Sequence, residues 1–191
     1  GEKALRPGGG VLTPLLQESG HPGDGAFHLD GAFSHAYLSR LESLASSLPT
    51  GPDCGAAALG GAPQRKKSRE EAERRHFVDA TGWATGAVSA ALAAAGMPGA
   101  ELLPQLRFLL YTRAGTRLPP HTDLRKAHPL AHGRSSTHTV LLYLDFGGEP
   151  CGGGGETVLL DRCGDGLDPQ ADRTGVRACV APTRGRPLVF P

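Results

Sequence analysis

The apolar residues of this chain change period once, near residue 102, and that change limits the folds open to it. Before the change, Phe33, Tyr37, Leu38, Leu41, Leu44, Ala45 and Leu48 recur at helical spacing behind Ser34, whose side chain can cap a first turn. A helix is expected there. A second is expected over Trp83–Ala95, with Trp83, Ala87, Val88, Ala91 and Leu92 on one face and Gly96-Met97-Pro98-Gly99 as its stop signal. After the change, short apolar runs at Leu106–Thr112, His138–Asp145, Thr157–Leu160, Val176–Ala181 and Pro187–Phe190 read as strands, separated by Gly-, Pro- and Asp-rich connections. Helices first and strands afterwards argue against alternating βαβ units. They predict an α+β fold in which helices buttress one face of an antiparallel sandwich or barrel.

The remaining segments punctuate this plan. Residues 1–32 are rich in Gly and Pro and read as a lead-in with one short strand over 11–16 and few core contacts. The expected organisation is a lead-in at 1–29 followed by a single domain over 30–191, since 191 residues bury roughly 70% of their unfolded surface around one core. Pro49 to Pro63 reads as a flexible loop, and the mixed-sign run from Arg65 to Arg75 as a solvated helix with i,i+4 pairs. The run Gly152–Gly155 lacks the Lys-Ser/Thr and the following helix of a phosphate loop, and reads as a turn.

With 20 Lys and Arg against 19 Asp and Glu, the net charge of +1 gives no long-range field to recruit a polyanion, so nucleic acid is not an expected partner. The longest weakly polar stretch, Ala84 to Met97, falls short of the ~20 apolar residues that span a bilayer, so no membrane segment is expected. The chain opens on Gly1 with no leader in view, which leaves the compartment unknown, with a soluble, cytoplasmic setting favoured. Cys54, Cys151, Cys163 and Cys179 show no zinc-type pairing and read as reduced, with one bridge in an oxidising compartment, such as Cys151 to Cys163, as the alternative.

Chemistry concentrates at Pro119-Pro120-His121-Thr122-Asp123. On extended backbone, residues i and i+2 point the same way, so His121 and Asp123 can direct an imidazole nitrogen and a carboxylate oxygen at one ion. A further His would complete the two-His-one-carboxylate face that leaves positions open on Fe(II). Composition alone gives about 0.4 chance His-x-Asp tripeptides in a chain like this, so the pair needs context. It has some, because an apolar strand ending in Tyr111 precedes it and the two prolines enforce extension. A second copy, His28-Leu29-Asp30, lies in the lead-in, where Asp30 reads as belonging to the start of the first helix and the tripeptide as coincidence. The basic loop with Arg125, Lys126, His128, His132 and Arg134 reads as solvated, and the regular spacing of His21, His28 and His35 carries no assignment.

Taken in order, Tyr111, Gly115, Pro120-His121-Thr122-Asp123, the block Ser136-Thr137-His138-Thr139-Val140-Leu141-Leu142-Tyr143-Leu144-Asp145 and Gly154-Gly155-Glu156-Thr157-Val158 resemble the core of the prolyl 4-hydroxylase-like Fe(II)/2-oxoglutarate dioxygenases. The resemblance runs over about residues 30 to 191. It implies a double-stranded β-helix, or jelly roll, with mononuclear iron at one mouth. It further implies His121 and Asp123 as iron ligands and Tyr111 and Thr157 as residues that hold the cosubstrate. O2 and a peptidyl or small-molecule substrate are the implied partners, with L-ascorbate as reductant. The distal His and the basic residue that pairs with 2-oxoglutarate would follow Pro191, so these 191 residues by themselves are expected to hold iron and cosubstrate poorly. The alternatives are a jelly-roll binding module without turnover and a different metal at the same ligands.

Overall fold

The computed structural model describes residues 9–17, 23–50, 72–129, 131–144, 154–161 and 175–191. Its elements follow the order β1 (Val11–Pro14), β2 (Phe27–Asp30), α1 (His35–Ser47), β3 (Ala72–Val78), α2 (Trp83–Ala94), β4 (Gln105–Tyr111), β5 (Thr139–Leu142), β6 (Thr157–Leu160), β7 (Val176–Val180) and β8 (Pro187–Phe190). This is a mixed α+β fold. One sheet has four strands in the order β1-β2-β8-β5, while β3 pairs with β4 and β6 with β7 in separate two-stranded ladders. Every pairing is antiparallel, and the described residues form no closed barrel.

The five strands expected after residue 102 are present, each within a few residues of its expected span. Both expected helices are present too. Ser34 Oγ accepts the Tyr37 N–H at 3.2 Å and so satisfies one of the open donors of the first turn of α1. At the other end of α2, Met97 N–H donates to Leu92 O at 3.0 Å and Gly96 N–H to Ala93 O at 3.2 Å. These two bonds close the helix, and they need the positive φ of 97° that Gly96 supplies without strain.

Strands do not wait for the helices. β1 and β2 precede α1, and β2 is an inner strand in which Leu29 is 1% exposed, so the expectation of few core contacts before residue 32 is corrected. Its three apolar or aromatic positions are too few to carry a visible period. The second correction concerns the mixed-sign run. Residues 65–71 lie outside the described residues, but Ala72–Val78 is a strand paired along its full length with β4, from Ala72 opposite Tyr111 to Val78 opposite Gln105. The charged residues divide between the two faces of the strand, Glu73 and Arg75 on one and Arg74 on the other. One face sends Arg75 back to α1, where Nη1 donates to Ala45 O at 2.6 Å and Ser46 O at 3.0 Å, capping carbonyls that the helix leaves open. The loop expected up to Pro63 lies outside the described residues past Thr50.

The core forms where α1 and α2 meet the sheets. Phe33, Leu38, Leu41, Val88, Leu92, Leu29 and Val189 are buried together, with Leu106 and Phe108 of β4 packed against them. Tyr37 joins the two helices, stacking on Phe33 at 5.1 Å, meeting Trp83 edge-on at 6.2 Å and donating its hydroxyl to Ala84 O at 2.7 Å. Burial, with Asp79 nearby, pushes its phenol far above the ordinary value, so it stays a donor. Arg40 lies over the Trp83 ring at 3.9 Å. Asp79, also buried, serves as the anchor of α2: its Oδ2 accepts the Ala84 N–H at 2.9 Å, the Thr85 N–H at 2.8 Å and the Thr85 hydroxyl at 2.9 Å.

Two predictions follow from this packing. Burial pushes the Asp79 carboxyl up, but the bonds from Thr85, Ala84 and Thr81 outweigh it and hold the group below the ordinary carboxylate value. A lowered folded-state value stabilises the fold above the unfolded value near ~3.9, and that stabilisation is lost as pH falls through the folded value. Asp79→Ala is expected to cost about 2 kcal/mol at pH 7 and to flatten the acid side of the stability profile, as read by urea unfolding between pH 7 and pH 3. Gly185 has φ of +80°, and a Cβ there would stand 2.8 Å from Leu38 Cδ1 in the buried face of α1. Gly185→Ala is therefore expected to lower stability by about 2 kcal/mol or more in the same assay, with Gly115→Ala, where the space is open, costing only the backbone share of about 1–2.

Candidate metal site

His121 and Asp123 sit in the connection between β4 and β5, after Pro119-Pro120. Their side chains face each other. His121 Nε2 is 3.5 Å from Asp123 Oδ1, and about a third of each side chain is exposed. The other ring nitrogen, Nδ1, is 2.9 Å from Pro119 O. A carbonyl can only accept, so Nδ1 carries a proton, and in the singly protonated ring the lone pair of Nε2 is turned toward Asp123. Two acceptors pointed at one another repel unless something positive lies between them. Protonation of Nε2 would answer that, and so would a cation, for bonds of ~2.0–2.2 Å from each atom to one ion can span a 3.5 Å gap. A backbone carbonyl on the far nitrogen is the usual way a ligating imidazole is oriented.

The second His-x-Asp shows what the same tripeptide does when a cation is built in. His28 and Asp30 lie on β2, with His28 Nδ1 3.4 Å from Asp30 Oδ2. Read from the sequence, Asp30 belongs to the start of the first helix; instead it ends β2, and Ser34 caps α1. Arg186 holds Asp30 there, with Nε to Oδ1 at 2.8 Å and Nη2 to Oδ2 at 3.0 Å, a bidentate pair across 156 residues of chain. Burial, then Arg186, push the His28 imidazole below its ordinary value despite Asp30. At Asp123 no Arg or Lys takes that place among the described residues.

The other expected site residues are placed as follows. Tyr111 ends β4, 49% exposed, and its phenol is pushed up by burial against the opposing influence of Arg107 and Arg74. Thr157 opens β6, where its Oγ1 accepts the Tyr143 hydroxyl at 2.6 Å. Neither makes a hydrogen bond with His121 or Asp123, and among the described residues no group of three or more His, Cys, Asp and Glu converges on a point. His138 turns Nδ1 to Thr137 Oγ1 at 2.9 Å. His128 accepts the Ala131 N–H at 2.9 Å, within a small hairpin bridged from Ala127 to Ser135. The basic loop is thus ordered by its own backbone, with Arg134 3.4 Å from Glu101. Cys179 lies exposed on β7 in no disulfide, while Cys54, Cys151 and Cys163 fall outside the described residues, as does His21.

Tyr143 and Asp79 went unassigned in the sequence. The signal for Asp79 was present, a carboxylate just ahead of a helix start. Tyr143 is one of three tyrosines and directly follows the apolar run of β5, but nothing in that run shows that it meets β6.

No protein-family model, no curated protein and no solved structure matches this chain. No described helix is long and apolar enough to cross a membrane.

The tautomer is directly measurable. In ring-nitrogen NMR of metal-free protein, the neutral form of His121 is expected to carry its proton on Nδ1, and Pro119→Gly, which loosens that carbonyl, to shift the population toward the Nε2 form.

Proposed function

We propose that His121 and Asp123 are two ligands of an Fe(II) centre in a 2-oxoglutarate-dependent dioxygenase of the prolyl 4-hydroxylase-like class, on a jelly-roll framework backed by α1 and α2. The observation that carries the reading is the 3.5 Å approach of His121 Nε2 to Asp123 Oδ1 with Nδ1 engaged by Pro119 O. One neutral nitrogen and one anionic oxygen suit a divalent iron and keep net positive charge on it for an anionic cosubstrate. The third ligand, by the resemblance, comes from outside these residues.

Iron, when bound, would supply the chemistry by which 2-oxoglutarate loses CO2 to become succinate, one atom of O2 entering succinate and the other a substrate C–H bond. The chain's own residues do the positioning. Pro119 O fixes which nitrogen of His121 is available. Tyr111 and Thr157 are assigned to the cosubstrate. Because Tyr143 donates to Thr157 Oγ1, the Thr157 hydroxyl keeps its own hydrogen to give to a carboxylate. Burial raises the Tyr143 phenol above its ordinary value, so that donation holds through neutral pH.

The second reading is a jelly-roll binding module that keeps His121 and Asp123 without turnover. Succinate release by the full gene product separates them. The dioxygenase reading expects Fe(II)-dependent succinate formation that falls at least 100-fold in His121→Ala and in Asp123→Ala, with Thr157→Val raising the 2-oxoglutarate requirement about tenfold. Succinate formation that is unchanged in both ligand variants overturns it, and none at all under saturating Fe(II), ascorbate and 2-oxoglutarate supports the module.

A further inference from the structure

His28 has no part in the chemistry proposed above, yet it is a titratable group enclosed by the four-stranded sheet, 8% exposed. Alternation along β2 sends Phe27 and Leu29 to the core beneath the helices and turns His28 and Asp30 to the other face. Thr13 of β1 stands opposite His28 on one side, and Leu188 of β8, itself fully buried, on the other. His28 Nδ1 is buried and makes no hydrogen bond among the described residues, although Asp30 Oδ2 lies 3.4 Å away. A carboxylate that close is the natural partner of a protonated ring, in which both nitrogens are donors.

Asp30 is already engaged by the Arg186 fork described above. The same guanidinium gives Nη1 to Ala181 O at 3.0 Å, just past the end of β7. Around it the backbone forms a turn, with Arg186 N–H donating to Thr183 O at 3.0 Å, Gly185 N–H to Tyr143 O at 2.7 Å, and Tyr143 N–H to Arg186 O. One side chain thus ties β2, the end of β7 and the turn before β8 together. The described strands β1, β5 and β8 carry no titratable side chain. The charges that act on His28 are therefore those of Arg186 from the turn and Asp30 from its own strand, and Arg186 also acts on the Tyr143 phenol beyond β5. With Arg186 in place, a positive ring would be desolvated and repelled. With Arg186 withdrawn, Asp30 would hold that ring as its counterion.

We propose that His28 is a proton-operated latch on this turn: once protonated it takes Asp30 from Arg186, and the segment that Arg186 binds to β2 and to the end of β7 comes loose at mildly acidic pH. Exchange of one cation for another keeps the carboxylate paired in both states, so the change is local and the core between α1 and α2 is untouched. Burial and then Arg186 hold the His28 imidazole below its ordinary value, which fixes the sign. The closed state is fully favoured above the unfolded value near ~6.5 and loses ground as pH falls toward the folded value. Nothing in the latch depends on the iron chemistry.

Amide exchange of the full chain, divided by the intrinsic rate at each pH, tests it at named sites. Between pH 7.5 and pH 5.5 the protection of the Tyr143 and Gly185 N–H groups is expected to fall about tenfold or more, because opening is coupled to one proton. The Ala95 N–H, bonded to Ala91 O at the end of α2, should keep its protection. In His28→Gln the two turn amides should be equally protected at both pH values, and in Arg186→Gln equally weakly at both. His76→Gln, on β3 outside this sheet, should leave the fall intact. Unchanged protection in the parent, a full fall in His28→Gln, or an equal fall at Ala95 overturns the proposal. Ring NMR of the parent decides the matter without any variant: His28 is expected to titrate below ~6.5, and titration at or above that value also overturns the latch.

Discussion

The insertion of β8 between β2 and β5 is the constraint on which the rest of the structure depends. Pro187–Phe190 pairs on both sides, His28 facing Leu188 along one edge and Val140 facing Val189 along the other. Leu188 and Val189 are fully buried, worth about 1.5–3 kcal/mol each in apolar burial. The turn before the strand is held from two directions. Arg184 reaches α1, with Nε to Glu42 Oε1 at 2.6 Å and Nη2 to Glu42 Oε2 at 3.0 Å, and Arg186 reaches β2 at Asp30. Both bonds close loops of more than 140 residues, so early and late chain meet in one sheet. Beyond the end of β5, Tyr143 N–H donates to Arg186 O at 3.1 Å, and the Tyr143 hydroxyl then reaches Thr157. Position of the β6 hydroxyl is thereby tied to the same strand insertion.

The two His-x-Asp tripeptides show why a motif is not a site. Each places an imidazole nitrogen about 3.5 Å from a carboxylate oxygen. In the first, a guanidinium supplies the positive charge, the histidine is buried, and the group is an architectural clamp between β2 and the turn before β8. In the second, partly exposed, a backbone carbonyl fixes the proton on the far nitrogen and the near one points at the carboxylate. The difference lies in what surrounds the tripeptide, not in its sequence.

Much of the secondary structure was legible because periodicity reports local geometry. Ser34 capping α1, the Gly96 stop of α2 and the five later strands all follow from short-range rules. What failed was long-range. The strand over Ala72–Val78 looked like a charged helix because Arg74, Arg75 and His76 hide a period of two, whose meaning depends on α1 receiving Arg75 and on β4 lying alongside. β2 was too short to announce itself, and only β8, far along the chain, makes it an inner strand. At the site, the i,i+2 approach of His121 and Asp123 was local and therefore readable, whereas the Tyr143 to Thr157 bond joins two elements and was not.

The account rests most heavily on the claim that a divalent cation belongs between His121 Nε2 and Asp123 Oδ1. Anomalous diffraction from crystals of the protein soaked anaerobically in Mn(II), a redox-stable substitute for Fe(II), tests this directly. The account predicts a single strong peak within about 2.3 Å of both atoms, with Nδ1 still bonded to Pro119 O. A peak elsewhere, or none, with the His121 ring donating straight to Asp123, would contradict it.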